Sequence, residues 1–428
     1  MRAPARRLPA AGLATVLVVG GLSACSSAGS EEAHGTPASP APVALEQAQT
    51  PKDLTVGVVV SLASAPGEGS DWSKAAEGAE VAAYRYGLAG RRVQLRPVDD
   101  KGTAKGARNA VRQLVHDDVA GIVLATAGDH VRAAAQAAAA AGVPVLLPYE
   151  TDASGLPDGA WLTGPDQDQV VSGLAKALAA GGLGRPVVVD AGGGTPKGVD
   201  ATSTYRFRPS ADASRLARVI ARQTRSRTRV DAVIVSGPAA QQAAVVQGLQ
   251  GQSVQVPVLL TPDALSPVFP ATLAKLDGAL SGSLTTVGPD AGDVAAMTPG
   301  ADGQALSAYF AALRATAGDS KEQDFFDGQP FAGVSDAADT RSHDAVVALV
   351  TAAAKADSSD PADVAKALSG LTVTHADGLA GPDLHFGSAG AVADDDVHAL
   401  QASTQDPGLR PAAAAAEPRL FWFSAPTD

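Results

Sequence analysis

The chain has 428 residues, 45% hydrophobic and 18% charged, with 45 Gly and 29 Pro. This is a globular composition, too long for one ordinary core, so two domains are expected beyond any processed segment. A formal charge of −12 lacks the basic footprint of a nucleic-acid binder, and a single cysteine excludes a disulfide framework or a cysteine-based zinc site.

The first seven residues carry Arg2, Arg6 and Arg7. Residues 10–21 (AAGLATVLVVGG) form an apolar run too short to span a bilayer, as in a secretory signal. The run closes on Leu22-Ser23-Ala24-Cys25, which resembles the bacterial lipobox, in which the cysteine thiol takes a lipid. An ordinary signal with an incidental cysteine is the alternative. The expected signal peptide is 1–24, cleaved before Cys25. Residues 25–53, rich in Ser, Pro and Ala, form a linker whose flexible part would span roughly 30 Å.

From residue 54 short aliphatic runs alternate with helical periods. Residues 54–61 (LTVGVVVS) read as a strand buried on both faces. A helix is predicted over 72–86, then a strand over 92–98, a helix over 107–115 and a strand over 121–126. An Ala-rich helix stops at Gly142, and 143–148 (VPVLLP) is a fourth strand. A second series follows, with a helix over 167–180, strands at 186–191, 232–236 and 256–260, and helices at 213–223 and 241–250. Residues 280–288 read as a connecting strand, and helices are predicted over 303–317, 343–356 and 361–369. The last has Asp360 at its N-cap and Pro361 at its first position. Short strands near 384–386 and 420–423 end the chain. Such alternation implies parallel, helix-covered sheets.

Catalytic signatures are sparse. The seven histidines form neither H-x-H nor H-E-x-x-H, and there is no G-x-S-x-G or phosphate-loop motif. Gly67-Glu68-Gly69 lacks the third glycine and tight turn of a dinucleotide site. Gly192–Gly194 reads as a surface loop, Asp394-Asp395-Asp396 as a solvated turn without calcium-loop spacing, and the arginines at 222, 225, 227 and 229 as a solvated helix end.

The stretches DLTVGVVVSLAS, EGAEVAAYRYG, RVQLRPVDDKGTAKGARNAVRQLVHDDVAGIV and AGVPVLLPYET resemble the first lobe of the leucine/isoleucine/valine-binding family, the type I solute-binding proteins of ABC importers. The resemblance continues through DAVIVSGPAAQQAAVVQGLQ, VPVLLTPDAL, SHDAVVALVTAAAKA and LAGPDLHFGSAG. It covers about 54–388 and rests on the order and spacing of weak motifs. It implies an α/β fold of two Rossmann-like lobes with parallel sheets, joined by a multi-crossing hinge, the type I periplasmic-binding-protein fold. Lobe 1 is expected from 54–165 and 285–370. Lobe 2 is expected from 166–284 and 371–428, the latter including a C-terminal tail. The implied protein is a monomer that does no chemistry, takes no cofactor, binds a small molecule in the interlobe cleft and presents it to ABC permease subunits. It would be held to the extracellular face of the cell membrane through lipidated Cys25.

In the amino-acid binders of this family, first-lobe hydroxyls and backbone N–H groups hold the ligand carboxylate. The matching regions here are Thr126-Ala127-Gly128-Asp129-His130 and Pro148-Tyr149-Glu150-Thr151. The resemblance therefore implies ligand contacts at Gly128, Asp129, His130, Tyr149, Glu150 and Thr151. Asp129 and Glu150 stand where small neutral residues are usual, which favours a cationic or hydroxyl-rich ligand. Trp72 falls near an aromatic that packs on the ligand, or simply covers the helix start. Gly237 lies at a strand end expected to make contact. Asp263 matches an acid that meets the ligand ammonium, with a helix cap as its alternative role. Between Val189 and Phe207 the chain lacks a Tyr-Gly turn and a full helix. An ABC-importer subunit is thus expected, with a sensing or interaction lipoprotein as the alternative.

Overall fold

The computed structural model describes residues 41–424 apart from 47–48, 66, 68, 210–211, 227–228 and 412–417. The expected signal peptide and Cys25 lie outside the described residues.

In chain order the first elements are β1 (Asp53–Val60), α1 (Gly78–Leu88), β2 (Arg92–Asp99), α2 (Ala104–His116), β3 (Ile122–Leu124), α3 (Val131–Ala140), β4 (Val145–Leu147), β5 (Ala160–Leu162) and α4 (Gln167–Ala180). Then come β6 (Pro186–Asp190), β7 (Ser203–Arg206), α5 (Ala213–Thr224), β8 (Ala232–Ser236), α6 (Ala239–Gly251), β9 (Val258–Leu260), α7 (Val268–Lys275) and β10 (Leu284–Pro289). The last are α8 (Ala301–Gly318), α9 (Thr340–Ala356), α10 (Pro361–Leu368), β11 (Thr372–Val373), β12 (Leu384–His385), β13 (Val397–Ser403) and β14 (Phe421–Ser424).

The first sheet has the order β2-β1-β3-β4-β5 and is wholly parallel, with Leu54 opposite Val93 and Gly57 opposite Ile122. β3 and β4 are buried throughout, and β1 is buried from Val56 on, as continuous aliphatic runs covered by helices on both faces must be. The second sheet runs β14-β13-β10-β9-β8-β6-β7, parallel from β10 to β7 and antiparallel at β13 and β14. α4 packs on β10 and β13 of the second sheet, while α8 and α9 pack on α1, and α9 also on β1 and β3. The chain therefore crosses between the sheets three times: before α4, between β10 and α8, and before β13. The second crossing begins beyond the boundary expected at 284, because β10 continues to Pro289 while paired with β13.

Two local departures shape the cleft. The helix expected over 72–86 enters as two 3-10 turns, Ser70–Trp72 and Ala75–Glu77, and becomes α-helical only at Gly78. The Ala75 carbonyl there accepts from the Asp339 N–H at 3.1 Å and from the Ser342 hydroxyl at 3.1 Å, which ties the segment to the start of α9. The other departure is the segment 191–202, which joins parallel β6 and β7 with no helix between them. Such a link needs about a dozen residues. Asp190 shapes its first turn by accepting from the N–H groups of Gly192 and Gly194, each at 3.0 Å.

Candidate functional site

The carboxyl ends of β3 and β4 in one sheet, and of β6 and β9 in the other, face a common cavity of about 310 Å³. Crevices outside carboxyl strand ends are where parallel sheets place ligands. The first lobe supplies Trp72, Gly128, Asp129, Arg132, Tyr149, Glu150, Thr151 and Asp152, the second Gly192, Gly193, Pro262 and Asp263, and the start of α9 Arg341. The lobes touch at its rim, where the Ser266 hydroxyl donates to the Asp71 carbonyl at 2.7 Å. The Asp71 carboxylate accepts from the N–H of Ala239, the first residue of α6, while burial raises its pKa.

One wall is aromatic. Trp72 and Tyr149 stack with ring centroids 4.6 Å apart and planes within 4°. The Arg341 guanidinium carbon lies 4.5 Å from the Trp72 ring centroid and 4.7 Å from that of Tyr149, within cation–π range. Asp339 organises this group. Its carboxylate caps α9 by accepting from the Ser342 N–H, accepts the Tyr149 hydroxyl at 2.8 Å, and holds Arg341 through Nε at 3.0 Å and Nη2 at 2.8 Å.

The cavity is also lined by carboxylates. Glu150 turns back on its own loop: Oε2 accepts from the Gly128 N–H at 3.0 Å, and Oε1 from the N–H groups of Thr151 and Asp152 at 2.8 and 2.9 Å. Burial raises its pKa, and these three donors oppose that rise. Asp152 is paired with Arg132 at 3.1 Å. Asp263 has no such partner: among the described residues no other residue donates to its carboxylate. Burial above all, then repulsion from Asp71 and Glu150, push its pKa up to about 7, against the attraction of Arg341.

Of the residues singled out in the sequence, Trp72, Gly128, Asp129, Tyr149, Glu150, Thr151 and Asp263 line this cavity together. His130 does not. Its ring is buried, with Nε2 2.9 Å from Asp100 Oδ2, in a network where Ser61 donates to Asp100 at 2.6 Å and meets Thr126 at 2.8 Å. The network ties together the ends of β1, β2 and β3. Gly237 is also absent from the cavity wall. Its N–H reaches the Thr261 hydroxyl at 3.3 Å, and with φ at 153° an added Cβ would lie 2.5 Å from the Ala191 carbonyl oxygen. It is a turn residue. Sequence reasoning missed Arg132, Asp152, Gly192, Gly193 and Arg341. For Arg341 a signal existed: Asp339-Thr340-Arg341-Ser342 is a side-chain N-cap that moves the helix start ahead of His343.

A family model described as periplasmic binding protein matches residues 53–406. No curated protein matches the sequence significantly. Among solved structures, the chain is similar to the branched-chain amino acid transporter substrate-binding protein LivJ of Streptococcus pneumoniae in complex with isoleucine. That match has 15% identity and a TM-score of 0.61, and covers 86% of this chain and 100% of that one. The leucine-binding protein LivK of Thermotoga maritima is 16% identical with a TM-score of 0.60, over 87% of this chain and 99% of that one. A solute-binding protein of an ABC transporter from Rhodopseudomonas palustris, in complex with 3,4-dihydroxybenzoic acid, is 14% identical with a TM-score of 0.61, over 87% and 96%. With the family match spanning most of its length, and two sheets joined by three crossings around a shared cavity, the chain belongs to the periplasmic binding protein family and has its type I fold.

Proposed function

We propose that the protein is an extracellular, lipid-anchored solute-binding subunit of an ABC importer. It takes a small polar ligand between its lobes and presents the closed form to a permease. The observation that carries this reading is the 310 Å³ cavity lined from both lobes, within the size range of small-molecule sites. The small ligands held by the isoleucine and dihydroxybenzoate complexes support it. Binding energy realised only when both walls touch the ligand shifts the lobes toward closure, and a permease can distinguish that state. No chemistry on the ligand is needed. Lipidation of Cys25 would keep the protein at the membrane.

A thermal-shift screen of the full chain against amines, amino acids, sugars and aromatic acids tests the reading. A ligand at about a hundred times its Kd adds about 2.7 kcal/mol, enough for a measurable rise in Tm. Labelling with radioactive palmitate, lost in Cys25→Ala, tests the anchor. One observation favours a second reading, a sensing or interaction lipoprotein: the helix-free segment 191–202 leaves only glycine in that part of the second lobe's wall. A folded protein silent across the whole screen would support that reading over transport.

A further inference from the structure

We infer that the cavity selects a small organic cation without a carboxylate, because Glu150 already occupies the backbone donors that a ligand carboxylate would need. The inference rests on the solute-binding reading above and names the ligand class. Three N–H groups converge at the first-lobe end of the cavity, from Gly128, Thr151 and Asp152, and all three are taken by the two oxygens of Glu150. An incoming carboxylate would have to displace a covalently tethered one from charge-assisted hydrogen bonds and would then lie beside it.

The charges around the cavity point the same way. Its two lining arginines are engaged: Arg132 by Asp152, and Arg341 by Asp339 through two nitrogens. Asp129, Glu150 and Asp263 form no ion pair among the described residues, and the Arg341 guanidinium that attracts Asp263 is already held by Asp339. Asp263 comes from the second lobe and Glu150 from the first, so a cation between them offsets repulsion across the cleft and draws the lobes together. The stacked Trp72 and Tyr149 give the remaining wall an apolar surface for the ligand's carbon skeleton. A primary amine or an amidine with a short alkyl or aryl body meets each of these features, whereas an amino acid places its carboxylate against Glu150.

The test uses amines paired with their parent amino acids: isoamylamine with leucine, cadaverine with lysine, agmatine with arginine. Binding to the full chain is measured by calorimetry. In at least one pair the amine is expected to bind about tenfold or more tightly than the amino acid, as loss of a charge-assisted contact would dictate. Glu150→Ala frees the three N–H groups, so the same pair should lose most of its preference, with the amino acid gaining. If in no pair the amine binds the wild-type chain more tightly than its amino acid, while some member binds, or if Glu150→Ala leaves the ratio of the preferring pair unchanged, the inference is overturned while the solute-binding reading stands. If a folded chain binds neither member of any pair nor any compound of the wider screen, that reading falls and the inference with it.

Discussion

Protonation of Asp263 should govern ligand affinity. The free protein holds this carboxyl at a pKa of about 7, because it is buried and faces Asp71 and Glu150, with its own backbone N–H and Arg341 offsetting them in part. An ammonium placed against it would favour the ionised form, so the bound pKa falls and a proton leaves on binding. Aliphatic amines and guanidines keep their charge from pH 5 to 8, so the protein's titration dominates that range. The sign is fixed: affinity rises with pH through about 7 and levels off above it. Between pH 8 and pH 5 the ionised fraction of a group titrating at 7 drops by about two orders of magnitude, and affinity should fall by a comparable factor. At pH 7 about half a proton should be released per ligand. Calorimetry in two buffers of different ionisation enthalpy measures that release directly, with the tightest-binding amine as probe. Asp263→Asn should abolish the pH dependence and the proton release while weakening binding about tenfold or more. An affinity that is flat across the range with no proton released would refute the assignment of Asp263 to the ligand.

Other outcomes follow from the surroundings of the site. Asp339→Ala removes the cap of α9, the acceptor of the Tyr149 hydroxyl and the partner of Arg341, and should cost about 3 kcal/mol in urea unfolding; a loss below about 1 kcal/mol would contradict that role. Burial raises the pKa of Glu77 to about 9, only partly countered by the Phe325 N–H. The folded state thus holds a proton that the unfolded chain releases near 4.5, so this group's contribution is complete below 4.5 and is lost as pH rises through 9. Glu77→Gln should therefore gain stability relative to wild type over that window, at up to about 1.4 kcal/mol per pH unit. An offset that stays constant at pH 5, 7 and 9 would refute it. Gly78→Ala would place a Cβ 1.9 Å from the Asp339 carbonyl oxygen, forcing the starts of α1 and α9 apart, and should lower stability by about 2 kcal/mol or more; full stability in denaturant would show that the contact yields freely.

Much of this architecture can be read from local pattern. The aliphatic runs at β1, β6 and β8 are buried on both faces, so period and burial agree and their boundaries fall within a residue of expectation. What escaped has identifiable causes. β7 is the polar edge segment STYR, half of it exposed, and β5 is only three residues long. α7 contains Pro270, which reads as a breaker but sits in the first turn, where its missing N–H costs nothing. β13 pairs antiparallel, which no run of parallel units announces. At the site, spacing brought seven of the expected residues to one cavity, yet it could not give side-chain direction. His130 turns into the network of Asp100 and Ser61 away from the cleft. Glu150 is legible as an acid beside the cavity, whereas its return onto three N–H groups of its own and the neighbouring loop depends on backbone geometry assembled from β3 and β4.

The central claim is that a small organic cation sits between the lobes with Asp263 as its counter-ion and Glu150 held on the protein's own donors. A crystal structure of the chain with its tightest-binding amine tests this most directly. The account predicts the ligand in the interlobe cavity, its cationic nitrogen within about 3 Å of an Asp263 carboxylate oxygen, and Glu150 still on the N–H groups of Gly128, Thr151 and Asp152. A ligand bound elsewhere, or one whose own anionic group has displaced Glu150 from those donors, would contradict it.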